Sequence, residues 1–215
     1  VWYCMGYILA ADCVESIAIH DCDITTYDRS LLARLIYPVA NPRFNYEFCK
    51  GFYARVAGGR INGRVSRLLV TPLLRALKKI VGEVEYLEYM DSFRYPLAGE
   101  FSFRRDVLKD LRIPSDWGLE IGVLSEMYRN YANNRLCQVD IADSYDHKHQ
   151  ALSEANDRDG LSRMSIDICK ALFRKLATRG VILSPESFRS VKATYYRIGL
   201  DLIENFRLPY LARSL

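Results

Sequence analysis

What this chain has little of narrows it first. Cysteine occurs six times, but Cys4, Cys13, Cys22, Cys49, Cys137 and Cys169 are scattered with no Cys-x-x-Cys pair. No secretory signal stands in these residues. A disulfide framework and a paired-thiol zinc site are therefore not indicated, and reduced thiols in the cytoplasm are expected. No apolar run reaches membrane-crossing length, and no internal repeat or low-complexity stretch is found, so neither a membrane partner nor a disordered tail is expected. A surplus of one charge is lacking too. The 30 Lys and Arg against 26 Asp and Glu are interspersed and leave a net +4, which is no footprint for nucleic acid. Histidine is scarce, and all three copies lie beside acidic residues: His20 next to Asp21, and His147 and His149 after Asp146. What the chain does have is apolar content, 50% of 215 residues, enough for one sizeable core or one core with an appendage.

The stretch Ser16 to Thr25 organises the rest. Its short apolar run reads as a buried parallel strand ending at Asp21-Cys22-Asp23. Ligands of open α/β sheets sit beyond the carboxyl ends of strands, so these carboxylates fall where a site belongs. Hard oxygen donors there suit Mg²⁺ or Mn²⁺, and such an ion can hold a diphosphate. Taken alone, such a pair is more often a solvated acidic turn after a strand.

Around it, helices are expected at Trp2–Ala11 and at Asp28–Tyr37, the latter ended by Pro38. Strands are expected at Phe44–Val56, Val84–Met90 and Arg135–Ala142, and helices at Val65–Ile80, bent or divided by Pro72, at Arg104–Leu111 and at Leu119–Tyr131. Ala57 to Arg64 breaks all periodicity. Its three glycines in eight positions let backbone amides approach a ligand, with Arg60 and Arg64 supplying charge. This alternation indicates an α/β sheet. From about Leu152 the pattern becomes two long helices, Leu161–Leu176 and Pro185–Phe206. The expected division is a core over 1–150 and a helical C-terminal extension over 151–215. The chain opens at Val1 inside a helical pattern, so a preceding segment is expected.

A histidine after a late strand can complete a divalent-metal site begun by an Asp pair. His20 points opposite to Asp21 along the strand and reads as a core or supporting residue. Glu120, at a helix start, is favoured there by the helix dipole whether or not it meets a substrate.

Five segments, in order, resemble the motifs of the glucosyl-3-phosphoglycerate synthases, which with the related mannosyl enzymes are retaining glycosyltransferases of the GT-A fold. They are Asp21-Cys22-Asp23, Gly63-Arg64-Val65-Ser66 running into Pro72-Leu73-Leu74, Pro96-Leu97-Ala98-Gly99-Glu100-Phe101, Trp117-Gly118-Leu119-Glu120-Ile121-Gly122, and His147-Lys148-His149. The resemblance covers about residues 1 to 180. It implies a Rossmann-like α/β transferase core of the GT-A kind, truncated at its amino end, with a C-terminal helical appendage.

Residue by residue, it implies that Asp21, Asp23 and His147 hold Mg²⁺ or Mn²⁺ with the nucleotide diphosphate. It further implies that Gly63, Arg64 and Ser66 bind 3-phosphoglycerate, with His149 on the acceptor side. Glu120 would hold hydroxyls of the donor sugar, and the Leu97 backbone carbonyl would lie near the reacting centre. Arg64 is chemically apt, because a guanidinium grips carboxylate or phosphate through paired hydrogen bonds. Ser66 stands where threonine is common and keeps the hydroxyl. The implied activity is transfer of a hexose, glucose from UDP-glucose in the first instance, to the 2-hydroxyl of 3-phosphoglycerate in a cytoplasmic homodimer. The rivals are a metal-dependent phosphohydrolase, which would need no Gly63-Arg64 loop, and a non-catalytic binding protein built from a transferase domain.

Overall fold

The computed structural model describes residues 1–11, 13–54, 56–57, 60–61, 63–146 and 160–211. In chain order the elements are α1 (Trp2–Ala11), β1 (Ser16–Ile19), α2 (Arg29–Ala40), β2 (Phe48–Tyr53), β3 (Val56–Ala57), β4 (Arg60–Ile61), α3 (Thr71–Val81) and α4 (Glu85–Asp91). There follow β5 (Phe101–Arg104), α5 (Val107–Asp110), α6 (Leu119–Asn130), β6 (Leu136–Ala142), α7 (Gly160–Ala177) and α8 (Pro185–Leu211). They form two compact units, one of Val1–Asn62 with Arg94–Leu172, the other of Gly63–Phe93 with Phe173–Leu215.

The first unit is built on a four-stranded sheet of order β1-β5-β2-β6. The strand β2 runs parallel to β6 and antiparallel to β5. Contrary to the sequence reading, β1 is not a buried parallel strand. It pairs antiparallel with β5, Ile17 opposite Phe103, and only Ile17 of its four residues is buried. The partner strand is one the sequence reading missed. Phe101-Ser102-Phe103 is wholly buried between β1 and β2; a strand covered on both faces shows no alternation, and four residues are too few to display a period. The helix expected at Arg104–Leu111 shrinks accordingly to the single turn of α5.

Helix α2 begins where Asp28 caps it, its carboxylate accepting from the Ser30 amide at 2.7 Å. Leu31, Leu35 and Val39, four residues apart, bury one face against Cys49, Tyr53, Ala98, Ile141 and Tyr145. The buried Ser102 hydroxyl donates to the Leu35 carbonyl at 2.6 Å, which ties this helix to β5. Pro38 lies inside the helix rather than ending it. It removes one donor in the last turn only, and the Asn41 amide still closes on the Tyr37 carbonyl at 3.0 Å. The stretch Ala57 to Arg64, read as aperiodic, overlaps the pairing of β3 with β4, in which Val56 stands opposite Ile61.

In the second unit, a π-helical turn at Ser66–Val70 leads into α3, with Pro72 in its first turn, so the expected break falls at their junction. Val84–Met90, expected to be a strand, is the helix α4. Tyr86, Leu87, Tyr89 and Met90 are its buried residues, a helical rather than alternating pattern, and Glu85 and Glu88 favour its amino end. Lys78 on α3 pairs with Glu88 at 2.7 Å and Asp91 at 3.0 Å. Helix α8 packs along α3, and the Tyr195 hydroxyl donates to the Leu68 carbonyl at 2.8 Å. The Arg179 guanidinium lies 4.0 Å from the Tyr86 ring centre.

Candidate active site

The site in the first unit is assembled from the turn after β1, the loop before β5, the middle of β2 and the start of α6. Asp21 and Asp23 lie in the turn, both half-buried. Their position is set through Glu100, whose side chain is fully buried at the head of β5. Its Oε1 accepts from the Asp21 backbone amide at 3.4 Å and from the Tyr145 hydroxyl at 2.5 Å, and its Oε2 accepts from the Tyr53 hydroxyl at 2.8 Å. The two tyrosine rings stack with centroids 3.5 Å apart. Burial, with Glu100 beside them, pushes both phenols far above their ordinary range. They stay protonated and act as donors.

Gly99 lets this turn and loop meet. A Cβ there would stand 2.3 Å from Asp21 Oδ1, so any other residue would displace that carboxylate. The preceding carbonyl, Ala98 O, accepts from the ammonium of Lys50, a side chain only 1% exposed in the middle of β2. Burial lowers the Lys50 pKa to about 8, against the opposing pull of Glu120, Glu100 and Asp21. Glu120, in the first turn of α6, is half-buried. Desolvation raises its pKa to about 7 although Lys50 draws it down. The helix start is itself fixed by close packing, since a Cβ at Gly118 would stand 2.6 Å from the Ala171 Cβ of α7. The Asp21 turn, the Leu97–Glu100 loop and Glu120 are thus brought around one buried ammonium. Leu97 is half-buried, one residue before the carbonyl that Lys50 holds.

Gly63, Arg64 and Ser66 belong to the second unit. Gly63 has φ 81°, a conformation suited to glycine, and its carbonyl accepts from the Arg67 amide at 3.2 Å. Arg64 is exposed, whereas Ser66 is buried with its hydroxyl unpartnered among the described residues. His147 and His149 lie outside the described residues. Asp146 does not: its carbonyl accepts from the Thr25 amide at 2.9 Å and its own amide donates to the Thr26 hydroxyl at 2.9 Å, just beyond Asp23. His20, read as a core or supporting residue, buries both ring nitrogens without a hydrogen-bond partner among the described residues, edge-on to Tyr27 at 5.7 Å. Burial lowers its pKa, opposed by Glu100.

Among the described residues no group of three or more His, Cys, Asp or Glu side chains is arranged to hold a metal ion. The chemistry of Asp21 and Asp23, two anionic oxygen donors on one turn, fits a hard divalent cation as a partial set awaiting further donors. Sequence reading missed Lys50, Tyr53 and Tyr145, and gave Glu100 no role. The signal for Lys50 was available: a lysine inside Phe48-Cys49-Lys50-Gly51-Phe52-Tyr53 is a charge in an otherwise buried strand, which is rarely tolerated without a partner.

No protein-family model matches the chain. Its structure resembles that of the glucosyl-3-phosphoglycerate synthase from Mycobacterium tuberculosis in complex with Mn²⁺, UDP-glucose and phosphoglyceric acid. The TM-score is 0.62 at 25% identity, covering 79% of this chain and 52% of that one. The fold is therefore that of the GT-A glycosyltransferases. In sequence, the chain is 46% identical over 215 residues, all of its length, to the glucosyl-3-phosphoglycerate synthase of Persephonella marina. It is 40% identical over 203 residues, 93% of its length, to that of Methanococcoides burtonii. It spans 53% and 50% of those two proteins, about half of each. The chain is a homologue of the glucosyl-3-phosphoglycerate synthases, as its five motifs imply.

Proposed function

We propose that the protein transfers glucose from UDP-glucose to the 2-hydroxyl of 3-phosphoglycerate, with retention at the anomeric carbon. The observation that carries this reading is the 46% identity along the whole chain to a glucosyl-3-phosphoglycerate synthase. Solved relatives from Mycobacterium tuberculosis bind Mn²⁺ with UDP-glucose and phosphoglyceric acid, or Mg²⁺ with UDP. The donor set here is compatible with both ions. Asp21 and Asp23 would hold the cation, with His147 as the third protein ligand. The pinning of Asp146 to Thr25 and Thr26 supports that assignment, because it anchors the chain next to the Asp23 turn one residue before His147. A bound divalent cation supplies charge stabilisation for the departing diphosphate.

The remaining work falls to the chain's own groups. Glu120 accepts hydrogen bonds from hydroxyls of the donor sugar at the start of α6, where partial desolvation strengthens them. The Leu97 carbonyl would lie near the reacting centre, on a loop held by Gly99 and Lys50. Arg64, with Gly63 and the Ser66 hydroxyl, which has no partner among the described residues, takes the anionic groups of the acceptor. His149 contributes on the acceptor side. We read the protein as a cytoplasmic homodimer without membrane or nucleic-acid partners. No helix among the described residues is long and apolar enough to cross a membrane, and the net charge is small.

The test is to incubate the full-length protein with Mn²⁺, UDP-glucose and 3-phosphoglycerate and to follow the product by NMR. An α-linked glucosyl-3-phosphoglycerate formed only when both substrates and the cation are present is the expected result. Phosphate release without UDP-glucose would favour a phosphohydrolase. Nucleotide binding indifferent to Mn²⁺, with no product, would favour a binding protein.

A further inference from the structure

We infer that Lys50 is a positioning residue: by holding the Ala98 carbonyl from inside the sheet, its ammonium fixes the Leu97–Gly99 turn against Asp21 and keeps it in register with Glu120. This rests on the transferase reading for its kinetic consequence but not for its structural one.

Four observations support it. Lys50 is 1% exposed, so its charge has no water to lean on and its bond to Ala98 is a large share of its solvation. The adjacent residue of the loop, Gly99, leaves no slack, since its Cα hydrogens face the Asp21 carboxylate where a Cβ would overlap it. A shift of the Ala98 carbonyl therefore moves Gly99 onto or away from Asp21. The next residue, Glu100, accepts from the Asp21 amide, so loop and turn meet at two consecutive loop residues. Finally, the charges of Glu120, Glu100 and Asp21, from three separate segments, all act to favour the Lys50 ammonium. Beside these, the Phe101 ring centre lies 5.3 Å from the ammonium. A lysine whose function was stability alone would need none of these placements, because an apolar residue of similar volume satisfies a buried strand better than an ion does.

The experiment compares wild type, Lys50→Met and Lys50→Gln in the full-length protein. Methionine keeps the length and removes the charge; glutamine keeps a donor. Hydrogen exchange of the peptide spanning residues 95–101 is read beside kcat and KM for both substrates. In Lys50→Met, exchange in that peptide should rise by at least tenfold while peptides of α2 keep wild-type protection. At the same time kcat should fall by about 100-fold, the loss that a misplacement of about 1 Å can cause, with the 3-phosphoglycerate KM changed less than about threefold. Lys50→Gln should recover part of both. Should Lys50→Met not fold, Lys50→Gln carries the comparison alone, with the same readouts at smaller amplitude. Unchanged protection at residues 95–101 in a folded variant, or a rise shared evenly with α2, overturns the inference whatever the kinetics. Altered protection with wild-type kcat overturns its catalytic half. Absence of transfer in the wild type counts against the transferase reading, and the exchange result still decides whether Lys50 holds the turn.

Discussion

Gly99 and Asp21 touch so closely that a Cβ on the glycine would stand 2.3 Å from one carboxylate oxygen and 2.6 Å from the carboxyl carbon. The loop before β5 and the turn after β1 are therefore one surface rather than two neighbours. Gly99→Ala should push the Asp21 carboxylate off its position at a cost of about 1–3 kcal/mol, typical of overpacking a filled site. Calorimetry of the full-length protein should show Mn²⁺-dependent UDP affinity reduced by about tenfold or more, the factor that 1.4 kcal/mol represents. Wild-type affinity in the alanine variant would mean that Asp21 does not meet the cation.

Asp23 carries the second carboxylate of that turn, half-buried rather than in the core. Asp23→Ala should leave the circular dichroism and melting temperature close to wild type and abolish the Mn²⁺ dependence of UDP binding. His147→Ala should weaken the same dependence, whereas His149→Ala should act on 3-phosphoglycerate instead. The reverse order for the two histidines would place the acceptor-side residue at 147.

Glu100 is the hinge of the buried network, and its two tyrosine donors make its stability contribution measurable. Tyr145→Phe and Tyr53→Phe each keep a ring in the stacked pair but remove one hydroxyl from a fully buried carboxylate. Each should cost about 1–3 kcal/mol, the penalty of leaving a buried acceptor short of a partner. The double variant should depart from the sum of the two, because both act through the same carboxylate. Additive losses in thermal unfolding would show that Glu100 does not couple them.

What was legible beforehand follows a physical line. The ends of α6 and β6 and the long helices α7 and α8 were readable because their periods run over enough residues to be recognised. β5 was not, since it is short and central, its first three residues Phe101-Ser102-Phe103 are buried on both faces, and its identity is imposed by β1 and β2 on either side. The stretch Val84–Met90 misled because Tyr86, Leu87, Tyr89 and Met90 are as apolar and aromatic as a strand; only their burial as a helical face separates the two readings. In the site, Asp21, Asp23 and Glu120 announced themselves as carboxylates at element ends. Tyr53 and Tyr145 lie within or just beyond strands, where sequence shows a core residue and only packing reveals that its hydroxyl faces Glu100; Lys50 stands out as a charge in a buried strand, but only packing shows its partner, Ala98.

Glu120 gives a pH signature. Desolvation raises its pKa in the folded chain from 4.5 to about 7, so the folded state binds the proton more tightly than the unfolded state does. Its stability contribution is fully present below pH 4.5 and is lost as pH rises through about 7. Glu120→Gln cannot ionise and should escape that loss. With chelator present, its melting temperature should equal or trail wild type near pH 4.5 and exceed it above pH 7. Lys50 works in a separate window: its pKa is lowered from 10.5 to about 8, so the folded state binds that proton less tightly and stability rises between those values. A melting difference between wild type and Glu120→Gln that is constant from pH 4.5 to 7.5 would show that the carboxylate ionises in the folded chain as freely as in the unfolded one.

Arg64 separates the transferase from its rivals most sharply, because neither a phosphohydrolase nor a nucleotide-binding scaffold needs an arginine in that glycine loop. It is exposed beside Gly63, with no packing role to confound its replacement. If the guanidinium grips the carboxylate or phosphate of 3-phosphoglycerate at two points, Arg64→Lys keeps the charge but loses the planar fork, and should be impaired nearly as much as Arg64→Ala. Removing a charged hydrogen-bond partner of this kind costs about 2–4 kcal/mol, or roughly 30- to 1000-fold in acceptor affinity. UDP-glucose affinity should hardly change. The measurement is separate titration of 3-phosphoglycerate and UDP-glucose against both variants of the full-length protein, with Mn²⁺ held constant. Full recovery in Arg64→Lys would reduce the contact to a point charge. Equal losses for both substrates, or none for either, would move the acceptor site away from Gly63, Arg64 and Ser66.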